Sequence, residues 1–81
     1  MMKITTLFFG ITTDLVGKTQ LEIAVKNEIV VAEFKKLLQE KYPALKNIDS
    51  YAIAVNETYA ENNFLLKEND TVAIIPPVSG G

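Results

Sequence analysis

The residues best placed to do chemistry stand at the end of the chain, Ile74-Ile75-Pro76-Pro77-Val78-Ser79-Gly80-Gly81. Their reactive group is the backbone carboxylate of Gly81. Proline fixes its own φ and cannot donate to a β-ladder, so an apolar strand should stop at Pro76-Pro77 and the chain leave it stiffly. Gly80 and Gly81 have no Cβ and can lie in a groove too narrow for another residue. Four residues beyond Pro77 reach at most about 13 Å when extended, enough to carry a carboxylate into another protein's active site. From composition alone the same ending also reads as a frayed terminus or a cloning remnant.

Side chains offer less. The sequence has no Cys and no His, which removes thiol nucleophiles, disulfides and the commonest general base and metal ligand. No metal site is expected. A formal net charge of −2, with no cluster of Lys or Arg, argues against nucleic acid or an anionic membrane as partner. No apolar run is long enough to span a bilayer, and Met1–Phe9 lacks the core and cleavage site of a signal peptide, so a cytoplasmic location is expected. The 81 residues, 48% apolar and 22% charged, suit one small folded domain over 1–81, with 76–81 as an extended tail.

The elements that must position the tail follow from periodicity. Lys3–Phe9 reads as a strand, apolar on both faces at Leu7-Phe8-Phe9. Gly10–Lys18 reads as a polar connection turned at Gly17-Lys18. Thr19–Val25 alternates, with Leu21, Ile23 and Val25 on one face, and pairs with the first strand as a hairpin. Val31–Tyr42 carries the one apolar stripe of helical period, Val31, Phe34, Leu37, Leu38 and Tyr42, and Pro43 ends it. Asn27 is the nearest residue of capping type. Leu45 and Ile48 tuck the next loop onto the core.

Tyr51–Val55 is a third strand, Asn56-Glu57 a turn, and Thr58-Tyr59 a short strand. Phe64-Leu65-Leu66 anchors a loop, Asn69-Asp70 turns, and Thr71–Ile75 is the last strand. The class is therefore α+β: a four- to five-stranded mixed sheet with one main helix on one face. The predicted core holds Phe8, Leu21, Ile23, Phe34, Leu38 and Ile74. One helix leaves the second face uncovered. That face is either ordinary central-strand surface or a partner interface.

The strand order, together with Leu7-Phe8-Phe9, Val31-Ala32-Glu33-Phe34, Ala54-Val55-Asn56-Glu57 and the run from Asn69 to Gly81, resembles the small sulfur-carrier subunits of molybdopterin synthase. The Pro-Pro-Val-Ser-Gly-Gly ending is the specific part of that likeness. The resemblance implies a β-grasp, ubiquitin-like fold and no bound cofactor. It implies that an E1-like adenylyltransferase uses ATP to activate the Gly81 carboxylate, which a sulfur donor converts to a thiocarboxylate. It implies docking on a large subunit in a heterotetramer, insertion of Pro76, Pro77, Val78, Ser79 and Gly80, and sulfur donation to cyclic pyranopterin monophosphate. Carried over by position, Phe9, Tyr59 and Ile75 become the apolar partner contacts. Two turns depart from the family pattern, where Thr13-Asp14 replaces an Arg-acidic pair and Asn69-Asp70 replaces Gly-Asp. The competing readings are a carrier for thiamin thiazole or another sulfur pathway, a ubiquitin-like modifier, and a non-covalent interaction module.

Overall fold

The computed structural model describes residues 2–26, 28–47 and 51–76. The elements in chain order are β1 (Met2–Phe8), α1 (Ile11–Val16), β2 (Gln20–Val25), α2 (Val31–Lys41), a 3₁₀ turn at Pro43–Asn47, β3 (Ala52–Val55), β4 (Thr58–Tyr59) and β5 (Thr71–Ile75). The five strands form one sheet in the order β2-β1-β5-β3-β4. β1 and β5 pair in parallel at its centre, and the other three pairings are antiparallel. This is the mixed sheet with one main helix expected from the sequence.

The period of two in the strands decides which face is covered. Ile4, Thr6 and Phe8 of β1, Ile23 and Val25 of β2, Ile53 and Val55 of β3, and Val72 and Ile74 of β5 are all buried and face one side. Against them α2 sets Val31, Phe34 and Leu38, spaced to share one helical stripe and each at most 1% exposed. Burying side chains of this size contributes about 1.5–3 kcal/mol each. At the far end of α2, the Tyr42 ring meets Phe8 edge-on at 6.4 Å between centroids. Leu45 and Leu66 close the remaining sides, both fully buried.

Three expectations need correction. The connection after β1 contains a helix, α1, whose Leu15 and Val16 pack against the core. Six residues are too few to display a full helical repeat, so its polar Thr12-Thr13-Asp14 masked it. Leu21 is partly buried at the margin of the core rather than inside it, because β2 is an edge strand. Of Phe64-Leu65-Leu66 only Leu66 enters the core. Phe64 and Leu65 stay 45% and 43% exposed, and their loop is held by its backbone, as Val31 N–H donates to Phe64 O and Leu66 N–H to Ile29 O. The cap of α2 is Val30, whose N–H donates to the Glu33 carboxylate at 3.3 Å. The expectations on Asn27 and Ile48 fall outside the described residues.

The turns follow local chemistry. Asn56 and Glu57 both have positive φ, as a two-residue hairpin turn with right-handed strands requires. The Asn56 side chain then spans to β5, accepting from Thr71 N–H and donating to Asp70, both at 3.0 Å. One core group works against stability. The Thr6 hydroxyl is fully buried and has no hydrogen-bond partner among the described residues. Thr6→Val keeps the shape and removes that hydroxyl, so it should raise the unfolding free energy by about 1 kcal/mol in urea titration.

Candidate functional site

Pro77 to Gly81 lie outside the described residues, so the site is built from the platform that delivers them. β5 runs between β1 and β3, and the tail therefore starts at the centre of the sheet rather than at an edge. Ile75, its last residue, pairs with Ala52 and is partly buried. Pro76, next in line, is also partly buried. Having no N–H, it ends the ladder without orphaning a donor.

The face turned away from α2 carries a row that crosses all five strands in register: Gln20, Leu7, Ala73, Ala54 and Tyr59. Ala73 and Ala54 are short, so the middle of the row is low between Leu7 and Tyr59. Among the described residues no element packs over this face. Tyr59 is 73% exposed at one end, and Phe9, just past β1, is 48% exposed near the tail's origin. Tyr59 at one end of this low strip and Phe9 beside the end of β5 leave apolar surface exposed around it.

Phe9 is held in place by residues that sequence reasoning assigned to a simple connection. Its N–H donates to Ile74 O at 3.3 Å and to Thr12 Oγ1 at 3.0 Å. The Thr12 hydroxyl donates back to Phe9 O, and the Thr13 hydroxyl donates to Phe8 O at 3.1 Å. Thr12 is fully buried, so this clamp is shielded from water. Gly10 opens the turn with φ 57° and ψ −137°, and Thr12 N–H closes it onto Phe9 O at 3.2 Å. That is the geometry of a type II′ turn, whose first central position favours glycine. Gly10 followed two residues later by Thr12, directly after a strand, is the signal that could have found this turn.

No group of three or more metal-ligating residues occurs among the described residues. The group with a displaced pKa is Tyr51, pushed up by burial and partly offset by the Gln39 side chain, which donates to its hydroxyl at 3.2 Å. The Lys35 ammonium lies 5.2 Å from the Tyr51 ring centre. Both belong to a groove of about 420 Å³ between α2 and β3–β4. Tyr59 and Glu61 also line it. No helix among the described residues is long and apolar enough to cross a membrane. Thr12→Val should cost about 1 kcal/mol of stability and speed hydrogen exchange at the Phe9 amide, as measured by NMR.

Comparison with known proteins agrees with this arrangement. The ThiS family model matches residues 6–81. A molybdopterin synthase sulfur carrier subunit from Caenorhabditis elegans is 39% identical over the full length of both chains. Subunit 1 in the complex of subunits 1 and 2 of molybdopterin-converting factor from Helicobacter pylori superposes with a TM-score of 0.70 at 28% identity, covering 99% of this chain and 100% of that one. The small archaeal modifier protein 1 of Methanosarcina acetivorans superposes with a TM-score of 0.80 at 27% identity, covering 100% of this chain and 98% of that one. With its β-grasp sheet, its central last strand and a match that runs through the tail, the chain belongs to the ThiS family, among the small sulfur-carrier subunits of molybdopterin synthase.

Proposed function

We propose that this chain carries sulfur on its C-terminus for the synthesis of molybdopterin. The observation that supports this most is the family match over residues 6–81, which includes Pro-Pro-Val-Ser-Gly-Gly. The carboxylate of Gly81 attacks the α-phosphorus of ATP on an E1-like activating enzyme, and pyrophosphate leaves. Sulfide-level sulfur then attacks the acyl carbon of the adenylate and AMP leaves, giving a thiocarboxylate; where the donor is a persulfide, a thiol reductant must then cleave the acyl disulfide. On the large synthase subunit the thiocarboxylate sulfur displaces an oxygen substituent from a carbon of cyclic pyranopterin monophosphate, and water cleaves the resulting thioester, leaving the sulfur on the pterin and restoring the Gly81 carboxylate. This chain contributes no catalytic side chain; acid–base and phosphate-binding groups come from the partners.

Each part of the chain has a role in that scheme. Pro76 and Pro77 keep the exit stiff, Val78 and Ser79 extend it, and Gly80 lets the terminus pass through a narrow channel. Phe9, Tyr59 and Ile75 contact the partner beside the tail. Phe9 and Tyr59 are exposed enough to be buried by docking, whereas the partly covered Ile75 adds the floor between strand and tail. The complex of subunits 1 and 2 from Helicobacter pylori supports a large-subunit partner. Two carriers and two large subunits make the heterotetramer.

A second reading, a ubiquitin-like protein modifier, is favoured by the likeness to the Methanosarcina modifier protein. Both readings begin with an activated Gly81 and differ in the acceptor, pterin or lysine. One experiment separates them. The untagged chain is incubated with its activating enzyme, ATP and a sulfur source, and its intact mass is measured. A gain equal to replacing one oxygen with sulfur, confined to the C-terminal peptide, is expected. Higher-mass adducts on protein lysines would instead support the modifier. Gly81→Val should leave the circular dichroism spectrum and melting midpoint unchanged and abolish sulfur transfer in a reconstituted synthase.

A further inference from the structure

We propose that Gly10 is a positioning residue that sets the line along which the tail leaves the sheet. A Cβ built on Gly10 would stand 2.9 Å from Pro76 Cγ and 3.7 Å from Pro76 Cδ. The first distance is well inside van der Waals contact, and its partner atom is part of a closed ring. A proline ring can move Cγ only by the small change between its two puckers, so the remaining relief must come from the backbone at Pro76 or at the turn. Gly10 also sits at φ 57° and ψ −137°, a conformation that side-chain-bearing residues rarely adopt.

Sequence separates these residues by most of the chain; parallel pairing joins them. Phe8 pairs with Ile74, and Phe9 N–H donates to Ile74 O, so the residue after Phe9 meets the second residue after Ile74. The Pro76 ring therefore seats against a bare backbone turn that the Thr12 clamp holds rigid. A turn with a side chain there would deflect the first rigid residue of the tail. If the tail is extended when inserted, as the carrier reading requires, a change of a few degrees at Pro76 is magnified along it toward Gly81. The inference builds on the carrier reading above, in which that placement governs insertion into a partner.

The same fold contains its own control. Gly17 has φ 82°, yet nothing lies within 4 Å of a Cβ built on it. Gly10→Ala and Gly17→Ala therefore both meet the positive-φ penalty, and only the first touches the tail. Both should lower the melting midpoint by a few degrees. Only Gly10→Ala should raise the apparent KM for the carrier in a reconstituted synthase, roughly tenfold, with kcat changed much less. Pro76→Ala deletes the ring atoms that the new methyl meets. The double variant Gly10→Ala/Pro76→Ala should accordingly have a KM no higher than Pro76→Ala alone.

Equal KM changes for the two glycine variants, or an additive double variant, would overturn the proposal. NMR on the isolated chain decides it separately from the carrier reading. The unchanged protein should show a nuclear Overhauser contact between Gly10 Hα and the Pro76 ring protons. Gly10→Ala, unlike Gly17→Ala, should shift the Ile75 and Val78 amides. Absence of the contact overturns the proposal even where Gly10→Ala fails to fold. Its presence, in a chain that never gains sulfur, keeps Gly10 as the tail's guide and removes the carrier reading alone.

Discussion

The parallel pairing of β1 with β5 is the contact on which the rest of the molecule depends. Parallel strands cannot be joined by a tight turn, so everything between Phe8 and Thr71 serves as the crossover that brings them together. Thr6 lies beside Val72 and Phe8 beside Ile74, and these residues form the floor on which Phe34 and Leu38 pack. The same pairing puts the chain's last strand in the middle of the sheet. A tail leaving from an edge strand would start with one flank unsupported. This one starts with β1 on one side and β3 on the other.

That placement ties stability to delivery. The residues that end β1, Phe8 and Phe9, lie against the residues that end β5. The Thr12 and Thr13 hydroxyls fix the backbone of the first pair, and Phe9 N–H reaches Ile74 O of the second. Burial shields the Thr12 bonds from competing water, which makes the turn a rigid reference for Pro76. Among the described residues, the group with a displaced titration is Tyr51, on the helix side of β3.

The open face shows how a sheet can be covered on one side and remain available on the other. Leu7, Ala73 and Ala54 make its centre apolar but low, so the exposed apolar area stays modest in the free chain. The larger groups, Phe9 and Tyr59, stand at its margins. In the proposed docking, the two aromatic rings would supply most of the removable apolar surface.

Much of this was legible in the sequence. Period-two runs gave the strands, and the stripe Val31, Phe34, Leu38 gave α2. These signals are local: each is set by residues within a few positions of one another. What the sequence left open depended on contacts between distant residues. α1 was hidden because one and a half turns cannot show a period. Leu21 was placed too deep because edge or centre is a property of strand order. Gly10 passed as an ordinary loop glycine until β1 and β5 paired and put it under Pro76. The sequence by itself determined which segments fold into strands and which into the main helix. Tertiary structure decided where the tail begins, what holds Phe9 and which face stays open, because those follow from long-range packing that no short stretch encodes.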